Sequence, residues 1–368
     1  MYDFRTGVRP MNTRNLRYVQ APESSGAGAH DGGLALLARA GQFAQRTARA
    51  GSDPRFTGSV SVFDPRAAGY QDPILVTASS GAGLKLKVAI ATGMHETIGV
   101  DLVANAANAV LTHGAEPLTF HYHHSCGAAD FSVADRIVAG IAEGCRLSGV
   151  ALSGGHTAEI PGVFEDGEYD LAGFCSGTVE RPSQLPRYDA TEGDVILGLA
   201  ASGVHAHGFT QIRRIVSSES LGYRDPAPFA PQVSLGQALL QPTRAYAPIV
   251  GAVLREATAV KMVIPITDGG LQGSIAKALP LQLAARVDLS SWRMPAMFQW
   301  FQRTGGLTGL EMTQSFNCGL GMIIVVDKLR TVSALKVLRD RGEKPLAIGT
   351  LVPRSGGDPV RFSGALSA

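Results

Sequence analysis

The sequence lacks the signals of most special protein classes. Its four cysteines, Cys126, Cys145, Cys175 and Cys318, show no CxxC or zinc-finger spacing. Free thiols in a reducing compartment are expected, not a disulfide framework or a structural zinc site. Charged residues are only 17% of the chain, the net charge is +2, and the basic residues are scattered. Nucleic acid and anionic membranes are therefore not expected partners. The first 17 residues carry arginines but no continuous apolar run. Neither a signal peptide nor a transmembrane helix is expected, and a cytoplasmic location follows by default.

What is present is a chain of 368 residues, 45% hydrophobic, with 44 glycines. That length suits two domains with their own cores. Residues 1–30 include Pro10 and the tract Ser24-Ser25-Gly26-Ala27-Gly28-Ala29, which buries little and reads as a flexible arm. Helical spacing runs from Leu34 to Arg49, and residues 51–69 read as a loop. Strands are expected at 73–77, 117–122, 150–153 and 170–179, with helices at 98–111 and 131–147. The two prolines of Arg181-Pro182-Ser183-Gln184-Leu185-Pro186 mark a linker, since proline ends a strand. The second half repeats the alternation, with strands near 195–199, 263–266, 281–287, 321–326 and 346–351. Its helices fall near 210–217, 243–256, 296–304 and 331–341. The expected organisation is an N-terminal domain over 31–180, a C-terminal domain over 181–368, and a small-molecule cleft between them.

The most informative motif is Ser153-Gly154-Gly155-His156-Thr157-Ala158-Glu159-Ile160-Pro161-Gly162. It resembles the GGETAEMPG segment of aminoimidazole ribonucleotide synthetases, the phosphoribosylformylglycinamidine cyclo-ligases, with His156 in the acidic position. The resemblance extends in order through Ile98–Ala104, Gly114–Pro117, Gly140–Cys145, Tyr169–Phe174, Ala201–His205, Pro242–Tyr246 and Phe316–Met322. It implies a two-domain α/β (α+β) fold of the PurM type. In that fold an N-terminal half-barrel sheet is completed by a second subunit, so a homodimer is expected. It further implies a reaction in which ATP activates an amide oxygen, an amidine nitrogen closes an imidazole ring, and ADP and phosphate leave.

The departures fall where the family holds magnesium and ATP. Its DGVGTK loop reads Ser80-Gly81-Ala82-Gly83-Leu84-Lys85, so Ser80 replaces the aspartate. The aspartate of an Asn-Asp pair is Ala109, beside Asn108, and the acidic position of FLDYY is Tyr122. With His156, four acidic positions are altered. Magnesium needs oxygen ligands and favours carboxylates, which alanine and histidine do not supply. ATP binding through Lys85, Lys87 and backbone amides stays open, while magnesium-dependent phosphoryl transfer is disfavoured.

The catalytic candidates are His156, His205, Lys85, Asp101 and Glu159. The substrate-binding candidates are Ser202, Gly203, His207, Asn108, Thr243, Arg244, Asn317 and Gly319. Residues 202–208 follow a strand and open a helix, which suits an anion or, alternatively, a tight turn kept for folding. His156 either moves a proton in the cleft or fills a vacated metal pocket. His121, His123, His124 and Cys126 are close in sequence but lack tetrahedral ligand spacing, so no metal is assigned. Cys126, Cys145 and Cys318 read as core thiols. Three readings compete: a repurposed enzyme for condensation or ring closure on an amide-, amidine- or nucleotide-like small molecule, a genuine cyclo-ligase with an unusual metal site, and a non-catalytic ligand-binding protein.

Overall fold

The computed structural model describes residues 27–53, 55–56, 58–185 and 189–367, with the backbone alone for 27–32. The expected arm over 1–30 lies outside the described residues except for 27–30, which begin helix α1 (Ala27–Thr47). Pro186 of the expected linker also lies outside them.

The N-terminal sheet contains β1 (Pro73–Gly81), β2 (Glu116–Cys126), β3 (Ala151–Glu159) and β4 (Tyr169–Glu180) in the order β1-β4-β2-β3. Helices α2 (Lys85–Thr92), α3 (Glu96–Val110) and α4 (Phe131–Ser148) complete this half. Helix α4 starts where Asp130 accepts hydrogen bonds from the Ser132 and Val133 amides, and it stops at Gly149 in the left-handed conformation, the usual chemistry of helix ends. It carries the chain from β2 to β3, which pair in parallel. Ile98, Leu102 and Val103 of α3 and Ile137, Val138 and Ile141 of α4 are sealed in one core with Phe120 and Cys175 of the sheet. The helices thus cover one sheet face. The opposite face carries Leu75 and Phe174, 69% and 44% exposed.

Strand β3 is longer than its expected 150–153 span. A side chain at Gly154 would strike the His121 ring and the Gly58 carbonyl, and one at Gly155 would strike the Tyr122 ring. Both glycines are close-approach positions within a continuous strand, so His156 and Glu159 lie on a strand and not in a loop.

After a short turn at Arg181–Ser183, the second half builds β5 (Val195–Ala200), α5 (Phe209–Ser218), β6 (Pro226–Ala227), β7 (Ala230–Ser234), α6 (Leu235–Leu239), α7 (Ala247–Glu256), β8 (Val260–Pro265) and α8 (Gly270–Ala278). It continues with β9 (Leu283–Asp288), α9 (Ala296–Thr304), α10 (Gly309–Ser315), β10 (Leu320–Val326), α11 (Thr331–Asp340), β11 (Leu346–Pro353) and β12 (Val360–Ser363). Its main sheet has the order β12-β9-β11-β5-β10-β8, antiparallel except for β12 beside β9. Antiparallel pairing predominates, so of the expected α/β (α+β) class the two-domain fold is of the α+β kind. Strand β10 is buried along its whole length.

Candidate active site between the two halves

Strands β5 and β8 both run antiparallel to β10, so their carboxyl ends emerge at the same edge of the sheet. Loop 206–210 after β5 and Thr267–Asp268 after β8 meet there, facing the end of β1 and helix α3. Together they enclose a cavity of about 420 Å³, lined by Ser79, Ser80, Gly81, Asn105, Ala109, His207 and Asp268 among others. His207 Nδ1 stands 2.8 Å from Asp268 Oδ1. Asp268 is the single carboxylate among the lining residues.

Behind this wall the loop is fixed. His205 is 3% exposed and has φ 58°. Its Nε2 accepts from the Ser202 amide at 3.3 Å. Gly321 makes room for it, since a side chain there would strike both the His205 ring and the Tyr246 hydroxyl. Burial, aided by the positive charges of Lys85 and Arg244 and by His207, pushes His205 down to about 3. It is a neutral acceptor at ordinary pH. Asn317 donates to the Gly203 carbonyl and accepts from the Gly319 amide, while the Ser202 hydroxyl donates to the Pro242 carbonyl. These residues shape the loop from behind. None of them is among the cavity-lining residues.

Lys85, Asp101, Asn108, Thr243 and Arg244 join the two halves. Asp101 Oδ1 accepts from the Thr243 amide and hydroxyl at 2.7 and 2.5 Å. Lys85 Nζ lies 2.7 Å from Asp101 Oδ2 and donates to the Gln241 carbonyl. Asn108 donates to the Arg244 carbonyl and accepts from the Tyr246 amide. Arg244 pairs with Glu343, donates to the Ala200 carbonyl and stacks over Tyr246. Because Asp101 and Asn108 hold 243–246 outside a helix, α7 begins at Ala247 and not at Thr243 as its sequence suggests. Lys85 is fully buried and does not reach the cavity, and Lys87 pairs with Glu168. Neither of the two lysines expected to face phosphates is among the residues that line the cavity.

The structure does not bring His156 to this cavity. Strands β4 and β2 lie between β1 and β3, a separation of about 14 Å at roughly 4.8 Å per strand. The His156 ring is exposed and stacks on His123 at 5.3 Å between centroids. Glu159 accepts from the Ala129 amide. Of the altered positions, Ser80 and Ala109 line the cavity, whereas Tyr122 is buried under the helices, where burial raises its phenol well above the ordinary value. His121 bonds Ser61, and His124 faces the opposite side of the sheet, edge-on to Tyr169. Among the described residues no group of three or more His, Cys, Asp or Glu is placed to hold a metal. All four cysteines are free and buried.

Sequence reasoning missed Asp268 and Glu343. A signal for Asp268 was present: Thr267-Asp268-Gly269-Gly270 joins a strand to a helix, and both glycines have positive φ, 91° and 62°. Such turns often build sites at helix starts.

Comparison with known proteins matches residues 69–179 to the N-terminal domain, and residues 191–360 to the C-terminal domain, of AIR synthase related proteins. Among solved structures, thiamine-monophosphate kinase from Stenotrophomonas maltophilia aligns with TM-score 0.65 and 18% identity over 90% of this chain and 97% of that one. A hydrogenase maturation protein HypE in complex with ATP aligns with TM-score 0.65 and 19% identity over 94% of each chain. PurL from T. maritima, in complex with AMPPCP, aligns with TM-score 0.54 and 15% identity over 79% of this chain and 42% of that one. At these identities the structures speak for the fold, and the two domain matches for the family: the chain belongs to the AIR synthase related family, as a divergent PurM-like member.

Proposed function

We propose that this chain is an enzyme whose cleft performs a condensation or ring closure on an amide-, amidine- or nucleotide-like small molecule without magnesium-ATP chemistry. The observation that carries this reading is the His207–Asp268 contact in the cavity wall. A histidine held by a carboxylate is a common arrangement for proton transfer. In the proposed step the attacking nitrogen bonds to the amide carbon as the C=O π bond opens, His207 relays the two protons of that nitrogen to the oxygen, and the C–O bond breaks to release water as the C=N bond forms.

Magnesium-ATP, which the resemblance implies, does not suit the donor set. Ser80 and Ala109 stand at two of the family's acidic positions, and the lone lining carboxylate is engaged with His207. A hard divalent cation takes oxygen ligands, usually several carboxylates. The proposal moves proton transfer from His156 and His205 to His207. His205, buried and neutral, positions the loop with Ser202, Gly203, Asn317 and Gly319, while Lys85, Asp101, Asn108, Thr243 and Arg244 position the two halves. His156 and Glu159 belong to the region of the sheet that a second subunit would approach in a homodimer. We place the protein in the cytoplasm because its cysteines are unpaired.

The second reading is an ATP-dependent cyclo-ligase. It is favoured by fold neighbours solved with nucleotides, a HypE with ATP and AaThiL with AMPPCP and TMP. A metal-free thermal-shift screen of amides, amidines and nucleotides, followed by turnover of the hit, tests the proposal. His207→Asn should lose about 10²- to 10⁴-fold in rate, with His156→Asn near wild type. Full activity in His207→Asn, or loss confined to His156→Asn, overturns it.

A further inference from the structure

A larger hollow, about 490 Å³, lies at the other end of the N-terminal sheet and shares no lining residue with the cleft. One wall is the start of β2 with the end of α4, and the other is helix α7. Its body is apolar, with Leu111, Pro117, Leu185, Pro248, Leu254 and Val260. Its volume falls in the range of small-molecule pockets.

The polar groups in its wall are unequally satisfied. Arg49 is engaged by Glu116 and by the Pro117 and Gly149 carbonyls. Glu116 also accepts from the Tyr70 hydroxyl at 2.8 Å, and Glu180 accepts from the Gln71 and Asp72 amides. Three groups stand apart. The Ser148 and Thr178 hydroxyls both belong to residues 3% exposed and have no hydrogen-bond partner, an arrangement that costs stability unless something fills it. Arg255 on α7 makes no hydrogen bond or ion pair among the described residues and acts on Glu116 only at longer range. An apolar hollow offering two buried hydroxyls and one uncommitted guanidinium is complementary to a molecule with an apolar body, a polar edge and a single anionic end.

We propose that this hollow is a second small-molecule site that takes an apolar monocarboxylate, its carboxylate on Arg255, its body against α7 and its buried polar edge against Ser148. The occupant would touch both halves of the protein, so binding should raise the melting temperature.

Decanoate and indole-3-acetate, one linear and one planar probe, test this by thermal shift and calorimetry on the full chain. At least one should bind with Kd below about 1 mM, and neutral decanol should bind at least about tenfold more weakly than decanoate. Arg255→Ala should weaken binding about tenfold or more, with partial recovery in Arg255→Lys. Gly251→Leu should block the hollow. Residue 251 is on α7, a side chain there would meet only the mobile end of Arg255, and leucine favours the helix, so this variant should fold. Absence of binding by both probes at about 1 mM, or binding unchanged by both Arg255→Ala and Gly251→Leu, overturns the proposal.

Discussion

Lys85 Nζ lies 2.7 Å from Asp101 Oδ2, and neither side chain has more than 1% of its surface exposed. Asp101 comes from α3, and its other oxygen holds Thr243 of the second half, so this pair sits at the joint of the molecule. Burial pulls the Lys85 ammonium down while Asp101 opposes that shift. Removing one partner strands a buried charge. Lys85→Met or Asp101→Leu alone should destabilise the fold by about 3–5 kcal/mol, and the double variant by less than the sum, read from denaturant unfolding. Additive losses would show that the two side chains do not act as a pair.

Acid should weaken the fold early. Burial pushes His205 to about 3, and burial together with nearby His123 pushes His124 to about 4, against an ordinary value of 6.5. The unfolded chain therefore binds more protons between those values. The stability is complete above about 6.5 and falls with decreasing pH, by about 1.4 kcal/mol per pH unit for each such histidine. His124 Nε2 is also a buried atom without a partner. His124→Phe should fold at neutral pH and flatten the loss of melting temperature between about pH 6 and 4. An unchanged slope in that variant would remove His124 from this account.

The open face of the N-terminal sheet predicts assembly. Leu75 and Phe174 point to the face that the helices leave bare, and exposed apolar sheet surface of this kind marks an interaction site. The protein should be a dimer by light scattering at micromolar concentration, and Leu75→Lys with Phe174→Lys should yield a folded monomer. A monomeric wild type would contradict the half-barrel arrangement.

Much of this was legible from local pattern. Helix α4, with Asp130 before it and Gly149 after it, follows from capping and spacing, and β10 from a continuous apolar run. The chain order of the motifs placed Ser80, Ala109 and loop 202–208 near a cleft. Illegible were features set by contacts distant in sequence. The late start of α7 depends on Asp101 and Asn108, over 130 residues away. The distance of His156 from the cavity depends on strand order, which no local pattern encodes. Asp268 acquires meaning only because β5 and β8 end at one edge, bringing His207 beside it.

Calorimetric titration of ATP with and without magnesium tests the central claim most directly, since the cleft holds Ser80, Ala109 and a His207-bound Asp268 at its wall. The predicted result is equal ATP affinity, or equal absence of binding, in both conditions, with no phosphate released when formylglycinamidine ribonucleotide is added. A gain of about tenfold or more in ATP affinity on adding magnesium, accompanied by phosphate release with that ribonucleotide, would contradict the account and make the protein an ATP-dependent cyclo-ligase.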